Sequence, residues 1–183
     1  KAETDLVVVM LNFGSVESDS IEDDQKALAE KLCQAGADLI LGTGSRVIKP
    51  VQKISVTDEA GGSTRNCLVL YGMGALLSGE TYASSEKDTD ISAIVDFSIV
   101  RNNFGETSIQ SFTVTPVYLN WYNDKIQPIP VCEAKDTDKY AEMLDDDDVD
   151  RINSAYDGMI THLLDGSGLT STYENYAYNV SLQ

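Results

Sequence analysis

The chain has 183 residues, enough for one domain with a real core, or one domain plus an extension. Its apolar share of 42% is that of an ordinary globular protein. A net charge of −17, with 13 Lys and Arg scattered and unclustered, excludes binding of nucleic acid or anionic membrane through a basic surface.

No apolar run is long enough to cross a bilayer, and no signal peptide is visible at the start. Lys1 is followed almost at once by a core strand, with no initiator methionine. The chain therefore reads as a piece of something longer, or as a mature product whose leader or anchor has left no trace. Cys33, Cys67 and Cys132 are odd in number and lack CxxC spacing, which excludes a full disulfide framework. They read as small buried hydrophobes. His162 is the single histidine, so no local pair could build a structural zinc site.

In chain order, Leu6 to Leu11 is a continuous apolar run that predicts a strand covered on both faces. Ser20 followed by Asp23 reads as a helix start, with Ile21, Leu28, Leu32 and Ala35 at helical spacing and Gly36 as the stop. Leu39 to Leu41 predicts a second strand, so the opening is a βαβ unit. Val51 to Thr57 and Cys67 to Tyr71 predict a hairpin around DEAGGSTRN. Ser78 to Asp90 reads as a polar surface loop. Ile91 to Arg101 and Ser108 to Leu119 predict a long hairpin turning at NNFGE. Tyr118 to Tyr122 and Lys125 to Val131 predict a further pair about Asn123-Asp124. Asp145 to Asp148 opens a helix whose stripe is Val149, Ile152, Tyr156, Met159, Ile160 and Leu163, and GSG ends it. Residues 166–183 read as a C-terminal extension, polar and aromatic.

Several constellations fail on their spacing. Gly42-Thr43-Gly44-Ser45 superficially matches a dinucleotide loop, but the third glycine position is Val47 and Pro50 bars a helix. The aspartates at 145–148 and 150 lack the glycine and glutamate of a calcium loop and read as a solvated helix start. No Gly-x-Ser-x-Gly elbow accompanies His162, which reads as a surface or packing residue. Tyr118, Trp121 and Tyr122 read mainly as core and edge residues, with an exposed ladder for stacking on sugar as the sharper alternative. Arg46 lies in a loop at a strand's C-terminal end, where it could hold a carboxylate or phosphate.

Three stretches, LVVVMLNFG, GADLILGTGSRVIKP and LVLYGMGALL, resemble in order and spacing motifs of the bacterial capsule-synthesis CapA family. That family includes the poly-gamma-glutamate synthesis proteins. Its corresponding motifs are an apolar strand ending in His-Trp-Gly, the strand GADVVIGHHPHVLQP, and a strand ending in YSLGNF. TPVYLN, IQPIPV and DDDDVDRINSAYDGMITHLL resemble its later strands and C-terminal helix, so the likeness covers about residues 5 to 165.

The resemblance implies an α/β (α+β sandwich) domain of the calcineurin-like metallophosphatase type. This chain, residues 1–183, would be its C-terminal portion: a βαβ unit, antiparallel strands and a C-terminal helix. The N-terminal half of the same domain, with its aspartates and Asn-His motif, would lie elsewhere. It also implies capsule or poly-gamma-glutamate biosynthesis at the bacterial cell surface, with membrane attachment only through an anchor outside this chain. Anionic polymer or capsule-synthesis proteins would be partners.

The departures from the family define a degenerate site. The first histidine position holds Asn12. The GHHPH loop has become Gly42, Thr43, Gly44, Ser45 and Arg46, and the Asn-Phe of GNF has become Ala75-Leu76. Asn12 offers an amide oxygen, Thr43 and Ser45 neutral hydroxyls, and Ala75 nothing. Arg46 opposes a cation at about 4–6 Å by roughly 3–4 kcal/mol at an effective dielectric of about 20. These residues predict no catalytic group, no metal and no cofactor here. The expectation is a non-catalytic scaffold or binding module. The rival is a metal-dependent hydrolase whose working residues lie in the N-terminal half.

Overall fold

The computed structural model describes residues 4–14, 16–57, 62, 64–79 and 87–182. The apolar run at the start forms β1 (Val8–Asn12), which pairs in parallel with β2 (Leu39–Thr43). Between them lies α1 (Asp23–Gln34). Its start falls at Glu22 rather than Ser20, because Glu22 and Gln25 satisfy each other's backbone donors in a capping box. Asp23 and Asp24 follow in the first turn, where the helix dipole favours them.

Two expectations about this unit need correction. β1 is not covered on both faces: it is the edge strand, with Val9 and Leu11 packed under α1 while Val8 and Met10 are 46% and 71% exposed. The buried stripe of α1 is Gln25, Ala29 and Cys33, not Leu28, which is exposed. Ile21 and Leu32 of the expected stripe pack at its margin, and Cys33 within it is joined to Cys67 by a disulfide, with Cα atoms 5.7 Å apart. The reading of the cysteines as three isolated thiols is therefore overturned; only Cys132 is free, and it is buried.

β3 (Val51–Thr57) and β4 (Thr64–Leu70) form the expected hairpin, and β4 lies parallel to β2. The first sheet thus runs β1-β2-β4-β3. β5 (Ile91–Arg101) and β6 (Thr107–Tyr122) make the long hairpin, and β7 (Lys125–Pro130) folds back on β6. Asn123 and Asp124 both have positive φ, the conformation a two-residue hairpin turn demands. Val131, expected to end β7, instead opens a short helix, α2 (Val131–Asp136). The aspartate-led helix is α3 (Asp146–Leu164), capped by the Asp145 carboxylate on the Asp148 amide.

Residues 166–183, read as an extension, contain part of the second sheet. β8 (Ser171–Glu174) and β9 (Ala177–Ser181) form a hairpin, and β9 pairs with the centre of β6. Tyr178, Val180 and Leu182 alternate into the core, which the short strand length and aromatic content concealed. The second sheet therefore runs β5-β6-β9-β8 with β7 beyond β6.

The result is a mixed α/β structure with two sheets. One core lies between the first sheet and α1, around Ile40, Val69 and Tyr71. The other joins the opposite face of that sheet (Leu39, Leu68, Leu70) to Phe112 and Val114 of the second sheet and Ile152, Met159 and Leu163 of α3.

Buried hydroxyl and thiol groups in these cores make the fold sensitive to alkali. Burial, helped by Glu30, pushes the Tyr71 phenol from 10.0 up to about 12. Burial is also the main cause that lifts Cys132 from 9.0 to about 11 and raises Tyr118 and Tyr178 further. Such groups deprotonate in the unfolded chain before they do so in the folded one. Stability is therefore complete below about pH 9 and is lost as pH rises towards 12. The Tyr71 contribution alone is on the order of 2 kcal/mol. Urea melts at pH 8 and pH 11 measure the loss, and Tyr71→Phe removes its share of the slope.

Candidate functional site

The degenerate site forms where β1 and β2 end side by side. Asn12 and Thr43 are register partners across the two strands. The Asn12 side-chain oxygen turns back to accept from the Gly14 amide at 2.8 Å. Thr43 Oγ1 donates to the Leu11 carbonyl at 3.4 Å. Gly44 follows with φ +96°, and a Cβ there would lie 2.2 Å from the Asn12 oxygen, so both the angle and the space require glycine. Ser45 is buried and donates to the Val47 carbonyl at 2.6 Å. Arg46, also at positive φ, points its guanidinium to the Glu17 carboxylate 3.8 Å away.

Asn12, Thr43, Ser45 and Arg46 are thus brought together. Ala75 lies at the far end of a strip whose near end, Gly72, packs on Ser45 and whose Gly74 packs on Ile91 and Ser92. A divalent ion needs oxygen or nitrogen donors with free lone pairs converging on one point. Here the side chains offer one amide oxygen and two neutral hydroxyls, with no carboxylate, imidazole or thiolate among them, each is turned into a local hydrogen bond, and the Arg46 guanidinium shares the loop. Among the described residues no three His, Cys, Asp or Glu side chains converge. The residues present do not fit the family's metal. Arg46, offered as an anion holder, lies 3.8 Å from the Glu17 carboxylate.

Sequence reasoning missed what supports this loop. Gln25, buried on α1, donates to the Phe13 carbonyl at 3.2 Å and accepts from Lys49 Nζ at 3.2 Å. Lys49 is itself buried and also donates to the Ser20 carbonyl at 2.9 Å. Burial lowers its pKa, while Glu22, Asp19 and Asp24 act to raise it. One lysine and one glutamine thus fasten the segment after β1 to the start of β3. The signal in the sequence was a lone lysine within an apolar run, Val47-Ile48-Lys49-Pro50-Val51.

A cleft of about 460 Å³ opens beside the loop. Val47 and Ile48 form one wall, and Ala155, Gly158, Met159 and His162 of α3 form the other. Glu17, Asp19, Lys87, Asp88 and Arg151 also line it. His162, read as a packing residue, contacts the Ile48 carbonyl through Nε2 at 3.2 Å and so ties α3 to the loop. Arg151 is held by Asp88 at 2.6 Å and by both oxygens of buried Asp90 at 2.7 and 3.0 Å. Asp90 and Thr89 are buried, against the reading of that stretch as a surface loop; residues 80–86 of it lie outside the described ones. Gly158 sits in the middle of α3, where glycine costs about 0.5–1 kcal/mol relative to alanine. A Cβ at Gly158 would meet nothing within 4 Å, so no neighbouring atom requires the glycine.

Two other expected features resolve differently. Tyr118 is buried and donates to Asp148 at 2.5 Å, while Trp121 is half exposed on the opposite face of β6, so the aromatic residues form no ladder. Asp148 also accepts from Asn120 at 2.9 Å, so the aspartates at the start of α3 are not all solvated.

Residues 1–80 match the family described as bacterial capsule synthesis protein PGA_cap. The chain is also 26% identical over 131 residues to the PGA biosynthesis protein CapA of Bacillus subtilis (strain 168). That alignment takes in 72% of this chain and 28% of the relative, so the chain spans little more than a quarter of the relative's length. The aligned length exceeds the 80-residue family segment, so the likeness is not confined to the βαβ unit and first hairpin. Both comparisons make the chain similar to the CapA proteins of bacterial capsule synthesis.

Proposed function

We propose that this chain is a non-catalytic CapA-like module, a scaffold or binding element in the synthesis of capsule or poly-gamma-glutamate polymer at the cell surface. The observation that carries the reading is the donor set at the ends of β1 and β2. It consists of one amide and two neutral hydroxyls, each in a local hydrogen bond, with no charged ligand among them, and Arg46 lies in the same loop. The Cys33–Cys67 disulfide supports placement in an oxidising compartment outside the cytosol. The two sheets and flanking helices are compatible with the calcineurin-like arrangement.

β1 supports a role for a further part of the same domain. Among the described residues β1 pairs on one side alone, and that edge with exposed Val8 and Met10 offers backbone and apolar surface for another strand-bearing unit. The relative is more than three times as long as the region it shares with this chain, which supports a second reading. In that reading a hydrolase takes its working residues from another part of a longer protein. Calorimetric titration of this chain with manganese and with zinc tests the first reading, which expects no stoichiometric uptake. Tight one-to-one binding lost in Asn12→Ala would overturn it in favour of the second.

A further inference from the structure

We propose that the outer face of the second sheet binds a neutral polysaccharide. This goes beyond the role proposed above: it uses residues outside the degenerate site, and neither test decides the other.

The strands of that sheet turn Phe112, Val114, Tyr178 and Val180 inward to the core. The alternating residues therefore stand on the opposite face. Strand register aligns them in two rows. Asp96, Thr113, Asn179 and Thr172 run across β5, β6, β9 and β8. Ser98, Ser111 and Ser181 run beside them across β5, β6 and β9. Each of these residues is exposed or half-buried, so the rows face solvent. With neighbouring strands about 4.8 Å apart, the first row is about 14 Å long, room for a short run of sugar rings.

The chemistry of the rows selects the occupant. In a chain with 30 acidic and 13 basic residues, the two rows carry a single charge, that of Asp96. The other members are hydroxyls and one amide, side chains that both donate and accept. Thr113 Oγ1 donates to Asn179 Oδ1 at 2.8 Å, which sets the amide and leaves its nitrogen as a donor. Such a set matches a ligand built of hydroxyl groups, and the Asp96 carboxylate adds a charge-assisted acceptor. A polyanion finds no cation in either row. A protein partner is disfavoured too, because protein interfaces are rich in aromatic residues, Met and Arg and poor in Ser.

Affinity electrophoresis of the full chain tests this, in native gels cast with dextran, with hydroxyethyl cellulose or with galactomannan. Gels cast with poly-gamma-glutamate serve as the anionic control. At least one neutral polymer is expected to retard the chain, and the polyanion is expected not to. Asp96→Ala and Asn179→Ala are each expected to weaken the binding about tenfold. Trp121→Ala is expected to leave it unchanged, because Trp121 lies on the same face of β6 but about 27 Å along the strand from Thr113. Thermal melts verify that the two row variants are folded; if one is not, the other decides. Migration unaltered by every neutral polymer, or equal retardation by the polyanion, would overturn the proposal. So would binding that is lost in Trp121→Ala and kept in the row variants. A dimer in gel filtration that Asn179→Arg splits would overturn it as well, since a second copy would then cover the face.

Discussion

Replacing Arg151 by methionine is expected to destabilise the fold by about 3–5 kcal/mol. The guanidinium grips both oxygens of Asp90, whose side chain is only 3% exposed, and a third bond reaches Asp88. Burial works against a charged guanidinium, but the hydrogen bonds it donates to Asp90 and Asp88 more than offset it and hold it firmly protonated. Without the arginine, Asp90 is left as a buried carboxylate facing apolar neighbours, and that orphaned charge accounts for most of the cost. Asp88, whose side chain is 67% exposed, contributes little, so Asp88→Asn is expected to cost under about 1 kcal/mol. The double change Arg151→Met with Asp90→Leu should recover most of the loss, because a well-packed apolar pair can replace a buried ion pair. Urea denaturation of the four proteins measures this. A double variant no better than Arg151→Met alone would mean that the ion pair is not the source of the effect.

Reducing the Cys33–Cys67 bond, or replacing both cysteines by serine, is expected to remove a comparable amount. The bond closes a loop of 34 residues, and the entropy withheld from the unfolded chain corresponds to about 3–4 kcal/mol. Both sulfurs sit in the smaller core with Ala29, Ile40 and Val69, so serine would add hydroxyls with no partner there. Alanine at both positions isolates the cross-link from that penalty. Denaturant midpoints with and without reductant are the measurement. A midpoint that does not move with reductant would mean that the bond is not formed in the folded protein.

The sequence made the local pieces legible and left the joins obscure. The βαβ unit, the β3–β4 hairpin, β5 to β7 and α3 all follow from apolar period and turn chemistry. In those segments local preference and final structure agree. The Cys33–Cys67 pairing was not legible, because it joins residues 34 positions apart. The place of β9 beside β6 was hidden for the same reason: a five-residue strand carries too little pattern to announce a distant partner. The exposure of β1 depends on what does not pack against it, and an apolar run reads alike whether one face is covered or two. At the site, the substituted positions were visible as residue types. What they do was not: the buried bridge from Gln25 to Lys49 and the clasp of Arg151 arise only when loops far apart in sequence converge.

The free border of β1 has a consequence for how the molecule behaves in company. A strand held by one neighbour, with half its side chains in water, is the thinnest part of the wall. Whatever completes that wall gains backbone partners and greasy surface in one step, and by mass action it steadies everything behind it. A chain so paired would resist denaturant better than the same chain alone.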